Sequence, residues 1–228
     1  MLRLTDVEEP VGAFHLRDLG DVGEPAIWVP RLPEKPVLVL GSRQDPHAVD
    51  REACARRGVE VVRRRSGGGA VLVGENQLIW FDVLLTRDHP GWDDDVRQSF
   101  MWLSEQLAYV LRTFGIEPVI HRGPMRNTVW SDLVCFGGLG PGEITVDGKK
   151  LVGISQRRTR NVARYQVAIL RRWQPAELLA LFPLGSAASD EAEHALRGAA
   201  TITEVEPNAL LEAAAGALEA TRQTSEPD

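Results

Sequence analysis

The chain is poor in cysteine and lysine and has no long apolar run. Two cysteines in 228 residues, Cys54 and Cys135, cannot build a disulfide scaffold, so a reducing cytoplasm is the expected setting. The apolar runs fall far short of the ~20 residues that a membrane helix needs, so no membrane association is expected. Met1-Leu2-Arg3-Leu4-Thr5-Asp6 carries no signal-peptide core. Positive charge is not in excess either. The net charge of −6 argues against nucleic acid as a partner and makes any basic site a local one. Internal repeats and low-complexity linkers are also absent. Only Lys35, Lys149 and Lys150 are lysine among 26 basic residues. Most basic positions were therefore free to become arginine, and the adjacent Lys149-Lys150 points to a site that needs a compact ammonium on a flexible stem.

What remains is an ordinary globular composition, 43% hydrophobic and 25% charged, in a length that buries a real core. Short apolar runs alternate with helix-like stretches. Strands are predicted over 36–40, 59–63, 70–73, 78–85, 131–136, 143–146, 150–156 and 162–170, and helices over 50–57, 93–114, 175–182, 190–196 and 208–221. Gly74-Glu75-Asn76 reads as a hairpin turn. In the long helix Phe100, Leu103, Leu107, Val110, Leu111 and Phe114 recur at helical spacing and form a core face. Hairpin-linked strands with helices between them give an α+β fold with a mixed, mostly antiparallel sheet and flanking helices.

The stretch with most chemical content is Arg63-Arg64-Arg65-Ser66-Gly67-Gly68-Gly69-Ala70-Val71. Three glycines allow positive φ and close approach, and their N–H groups can turn toward an anion. Guanidinium groups at the end of a strand can grip a carboxylate or phosphate. A tight turn with solvated charges fits the same spacing. A second stretch, Gly148-Lys149-Lys150-Leu151-Val152-Gly153-Ile154-Ser155-Gln156, follows a β-turn.

Together these two motifs resemble the signatures of the biotin/lipoate protein ligase and octanoyltransferase family, with Gly41-Ser42-Arg43-Gln44-Asp45-Pro46 adding to the likeness. The resemblance covers residues 36–172 and implies a class II synthetase-like fold. It also implies attachment of an octanoyl or lipoyl group to a lysine of a lipoyl carrier domain, such as that of a 2-oxoacid dehydrogenase E2 or a glycine-cleavage H protein. By this likeness Lys150 takes the family's lysine position beside the reacting carbonyl, where a fixed cation stabilises developing charge. Arg63, Arg64, Ser66, Gly67, Gly68, Gly69, Ala70, Gly153, Gln156 and Gln166 fall at acyl- or adenylate-binding positions, with Arg63 and Arg64 holding the motif's shape or contacting phosphate. The carrier is expected to approach the Lys150 hairpin, near Arg157, Arg158 and Arg160.

Two chemistries share this family fold. One takes octanoate from acyl carrier protein through a cysteine thioester; the other joins lipoate to the carrier through an adenylate and needs ATP and Mg. Cys135, fifteen residues before Lys150, resembles the nucleophile of the transferase branch, and that reading leads. The ATP-dependent ligase is the alternative, and a binding protein without catalysis is the second. Residues 1–172 read as the catalytic core. Residues 173–224 read as a helical segment packed on it rather than a separate ligase C-terminal domain, and 225–228 as a frayed tail. The sequence departs from the family at Val73 and Gln166, where histidines are usual. His15, His47, His89, His121 and His194 fall outside the motifs and read as surface or loop residues, so no metal is proposed. Asp82 reads as a strand-face charge, and Cys54 as structural.

Overall fold

A computed structural model describes residues 3–20, 22–96 and 98–223, so the tail expected at 225–228 lies outside the described residues. In chain order the elements are β1 (Arg3–Val7), α1 (Val11–Leu16), β2 (Ala26–Pro30), β3 (Val37–Leu40), α2 (Arg51–Arg57), β4 (Val61–Arg63), β5 (Val71–Val73), β6 (Leu78–Thr86), α3 (Phe100–Thr113), β7 (Val119–Ile120), β8 (Ile144–Val146), β9 (Lys149–Arg158), β10 (Val162–Leu170), α4 (Pro175–Leu179), α5 (Ser186–Arg197) and α6 (Pro207–Gln223). A single 3₁₀ turn, Cys135–Gly137, precedes β8. The fold is the expected α+β.

A seven-stranded sheet runs in the order β1-β2-β6-β10-β9-β8-β7, antiparallel except for the β1–β2 pair. A three-stranded sheet in the order β4-β3-β5 lies against one face of it. β6 and β10 are central and buried on both faces, so their sequences lack the polar alternation of a half-buried strand. Ile79, Phe81, Val83 and Leu85 of β6 pack with Leu103, Leu107 and Leu111 of α3 and Leu210 and Ala214 of α6. Leu78 and Trp80 point the other way, toward Val39, Val71 and Phe14. Period-two alternation then requires Asp82 on this second face, and with it Arg164 and Gln166 of β10, between the two sheets. The outer side of the small sheet is covered by Leu178, Leu179 and Leu196 of α4 and α5.

Three expectations need correction. Gly74-Glu75-Asn76 does not close a hairpin: β5 pairs with β3, whereas β6 pairs with β2 and β10. The turn instead carries the chain from one sheet to the other, because Val71 and Val73 complete the small sheet's apolar face. The long helix starts at Phe100, not at Asp93. Its aspartates bond locally instead: Asp93 Oδ1 accepts from the Asp95 N–H and Asp94 Oδ1 from Trp92 Nε1, the competition that keeps Asp in turns. Residues 131–136 are not a strand. Ser131 Oγ donates to the Gly137 carbonyl and the Leu133 and Val134 N–H groups donate to Trp130 O, which folds the segment into turns and leaves one bridge, Ala70 to Val134.

Candidate active site

The glycine loop and the Cys135 turn are built against each other. The Ala70 N–H donates to Leu133 O, and the Cys135 N–H donates to Ala70 O, both at 2.9 Å. A Cβ at Gly69 would stand 2.6–2.8 Å from backbone atoms of Val134 and Cys135, so glycine is required there by the neighbouring chain and not by a ligand. Gly68 has φ +98°, and its carbonyl oxygen would lie 1.8 Å from a Cβ at Gly41. Gln44 ties the same corner: its Oε1 accepts from the Gly41 N–H, and its Nε2 donates to the carbonyls of Asp132 and Leu133.

Arg64 is buried and is the strut of the loop. Its Nη2 donates to the carbonyls of Gly67 and Gly69 at 2.7 and 3.0 Å, and its Nη1 to Val39 O at 3.3 Å. The Cys135 sulfur sits beside this corner. A Cβ placed on Gly68 would be 2.9 Å from Arg64 Nη2 and 3.9 Å from Cys135 Sγ. Burial pushes the Arg64 guanidinium below its ordinary value, and the adjacent Cys135 sulfur acts in the opposite sense. Cys135 is half-buried. It lines a cavity of about 10 Å³ together with Arg64, Ser155, Gln166, Val71, Trp80 and Ile154, room for no more than one water. Outside, Gly68 also borders an open groove of about 960 Å³ that runs past Met125, Val129 and Trp130.

Lys150 does not stand at a surface; it is 3% exposed. Its Nζ donates to Cys135 O at 2.9 Å and Gly138 O at 3.0 Å, and pairs with Glu143 Oε2 at 2.7 Å. The ammonium lies 4.9 Å from the centroid of the Phe136 ring. Glu143 in turn accepts from the Gly140 and Ile154 N–H groups. The lysine thus pulls two carbonyls of the Cys135 turn inward and fixes its curvature. Burial removes the Lys150 ammonium from solvent, whereas Asp147, Gly148 and Lys149 of the turn before it are exposed. Of the nearby arginines, Arg158 lies over the Trp92 ring at 3.9 Å, and Arg160 is exposed.

Beneath the loop runs a buried polar seam. Ser66 Oγ donates to Gln166 Oε1 at 2.6 Å and lies 3.0 Å from Ser155 Oγ. Gln166 Nε2 faces His15 Nδ1 at 3.0 Å and Asp82 Oδ2 at 3.4 Å. Asp82 is ion-paired with Arg164 and accepts from Trp80 Nε1. Burial pushes the Asp82 carboxyl above the usual carboxylate range, while Arg164 and the hydrogen bonds act against it. His15, 2% exposed, is held down to a pKa of about 3 by burial first and then by Arg164 and Arg64, so it is uncharged at neutral pH. Arg164 also donates to Phe14 O and lies over the Phe14 ring.

The structure therefore brings together Arg64, Ser66, Gly67, Gly68, Gly69, Ala70, Cys135, Lys150, Gly153 and Gln166. Arg63 and Gln156 stand apart. Arg63 ends β4 with an exposed side chain. Gln156 donates to Ser99 Oγ, and alternation along β9 puts it on the face opposite Ser155. Sequence reasoning missed Ser155, Glu143, Arg164 and His15. The histidines at 15, 89 and 121 are buried; His89 and His121 lie in loops, one of the two expected settings, whereas His15 lies in α1 and meets neither. Each is enclosed by local structure: His89 Nδ1 accepts from the Gly91 N–H, and His121 Nε2 lies 2.8 Å from Pro124 O. Among the described residues no group of three or more His, Cys, Asp or Glu gathers to hold a metal. No helix of the described residues is long and apolar enough to cross a membrane.

Octanoyltransferase LipM of Kyrpidia tusciae is 34% identical over 153 residues, 65% of this chain and 55% of that protein. Octanoyltransferase LipM of Carboxydothermus hydrogenoformans is 36% identical over 125 residues, 54% of this chain and 45% of that protein. The chain thus spans about half the length of these relatives. Among solved structures, the bipartite lipoate protein ligase of Thermoplasma acidophilum, described with its E2 lipoyl domain, superposes with a TM-score of 0.72 at 17% identity, covering 96% of this chain and 82% of that one. Plasmodium falciparum LipL1 in complex with lipoate superposes with a TM-score of 0.66 at 17% identity, covering 99% and 61%. These likenesses establish a lipoate-ligase fold. Residues 23–206 match the lipoyl protein ligase A/B catalytic domain, and the chain belongs to that family.

Proposed function

We propose that this chain transfers an octanoyl or lipoyl group to the lysine of a lipoyl carrier domain through a thioester on Cys135. The observation that carries the reading is the position of the Cys135 sulfur, half-buried beside Gly68, where Cys135 lines a small cavity and Gly68 borders an open groove. The relatives named octanoyltransferase support it. In the first step the Cys135 thiolate attacks the acyl carbon of a donor thioester such as octanoyl acyl carrier protein. A new S–C bond forms, and the donor thiol leaves with a proton from solvent. In the second step the carrier lysine, as a neutral amine, attacks the same carbon. The amide forms, the amine gives up a proton, and Cys135 is released. The acyl tail occupies the cavity after side chains such as Trp80 and Ile154 move, since the present volume holds one water at most. The carrier and the donor reach Cys135 along the groove past Val129.

Intact mass after mixing with octanoyl acyl carrier protein tests this. The expected result is one octanoyl adduct on Cys135, consumed when a lipoyl domain is added. No adduct on the wild type, or an adduct that persists in Cys135→Ser, overturns the reading. Carrier modification that needs lipoate, ATP and Mg and survives Cys135→Ser would identify the ligase chemistry instead. Octanoate binding without transfer would leave a binding protein.

A further inference from the structure

Lys150 is the residue that the family likeness places at the reacting centre, yet its hydrogens are spoken for. An ammonium has three donors, and Cys135 O, Gly138 O and Glu143 Oε2 take them. Its charge is also matched by the Glu143 carboxylate. Arg64 differs on both counts. Its charge has no carboxylate partner: its hydrogen bonds go to the carbonyls of Val39, Gly67 and Gly69, and its side chain also interacts with that of Cys135. Its Nε is buried without a hydrogen-bond partner, a costly state for a charged group. The guanidinium and the Cys135 sulfur flank the same point of the loop at Gly68.

We propose that Arg64, rather than Lys150, is the cation that faces the Cys135 sulfur and stabilises its negative charge, both when the thiolate attacks and when it leaves. This rests on the transferase reading. The other groups around the sulfur do not compete. From α1 comes His15, which is uncharged; from β9 comes Lys150, neutralised by Glu143; from β6 and β10 come Asp82 and Arg164, paired with each other. Ser66, Ser155 and Gln166 are neutral. When the acyl group moves onto Cys135 the sulfur loses its charge and Arg64 is again without a counter-charge. This favours the reverse flow of electrons to sulfur as the carrier lysine attacks. Lys150 is then a positioning residue for the Cys135 turn.

The experiment reads the thiolate without any acyl donor. Ultraviolet thiolate absorbance at neutral pH, taken as the difference from Cys135→Ser, is compared across variants, together with the rate of Cys135 alkylation located by peptide mass. The wild type sets the reference for both readouts. Arg64→Met should weaken the band and slow alkylation by about tenfold or more, whereas Arg64→Lys, which keeps the charge but not the fork to Gly67 and Gly69, should match the wild type. The paired variant Lys150→Met with Glu143→Gln removes the other cation without stranding a charge and should also match it. Weakening of the band in Arg64→Lys as great as in Arg64→Met would show that Arg64 acts only through loop shape, and overturn the inference. So would weakening of the band in the paired variant, or an unchanged band in Arg64→Met. If Arg64→Met does not fold, the Arg64→Lys and paired variants still decide. Absence of an octanoyl adduct on a wild type whose band exceeds that of Arg64→Met overturns the transferase reading, not the pairing.

Discussion

Ser66 Oγ donates a 2.6 Å hydrogen bond to Gln166 Oε1 across 100 residues of chain, inside the protein. The same glutamine presents its Nε2 to His15 Nδ1. One side chain thus joins the glycine loop to β10 and to α1. An amide there can donate and accept at once without charge. Replacing Gln166 by Leu would leave the buried His15 Nδ1 without its partner and the Ser66 hydroxyl with Ser155 alone, at about 1–3 kcal/mol for the unsatisfied group. Urea unfolding of Gln166→Leu is expected to show a loss of that order, and octanoyl-adduct formation to slow as the loop loosens. Unchanged stability would mean that the loop is held by Arg64 and the Ala70 bridge alone.

His15 gives the fold a predictable acid sensitivity. Its pKa is about 3 in the folded chain against 6.5 as the ordinary value. The sign follows from which state binds the proton. Between these two values the unfolded chain takes up a proton that the folded chain refuses, so stability falls as pH falls. The loss begins near pH 6.5, steepens to at most about 1.4 kcal/mol per pH unit, and ends near pH 3. His15→Gln keeps a partner for Gln166 and removes the titration. Thermal unfolding between pH 7 and pH 4 should therefore fall less steeply for this variant than for the wild type. Parallel slopes would rule out His15 as a source of the sensitivity.

The glycines of the loop should differ sharply in tolerance. A Cβ on Gly69 would meet the backbone of Val134 and Cys135 at 2.6–2.8 Å, whereas a Cβ on Gly67 meets nothing within 4 Å. Gly69→Ala must push the Cys135 turn away, a strain of about 1–3 kcal/mol, and should lower both the melting temperature and the rate of adduct formation. Gly67→Ala should leave stability close to wild type. If both substitutions are equally mild, the two segments do not pack as tightly as the backbone contacts require.

The motifs were legible because they are local. Three glycines in a row, a lysine after a turn and an apolar helix face announce themselves in a few residues, and each lies in the element expected of it. What was not legible depends on distant pairing. β5 looks like the first arm of a hairpin, but Val71 and Val73 find their partners in β3. Gln156 and Ser155 are neighbours in sequence, and only the register of β9 against β10 decides that Ser155 lies opposite Gln166. His15 sits well before the first motif, so nothing nearby marks it as part of the site. Residues 131–136 read as a strand from composition, while the hydroxyls of Thr128 and Ser131, which bond Gly137 O, turn the chain. That turn is what sets the Cys135 sulfur beside Gly68.

The buried pair of Lys150 and Glu143 separates shape from charge. Removing the lysine alone, in Lys150→Met, leaves the buried Glu143 carboxylate without its cation and strips donors from Cys135 O and Gly138 O. A loss of about 3–5 kcal/mol is expected. Adding Glu143→Gln removes the stranded charge and should restore a good part of that loss, because a neutral buried pair avoids the desolvation penalty. The two carbonyls of the Cys135 turn remain without their ammonium, however. The double variant should therefore recover stability in urea unfolding more fully than it recovers octanoyl-adduct formation. Equal recovery of both would mean that Lys150 contributes only to folding, while no recovery of stability would show that Glu143 is not the group that the lysine neutralises.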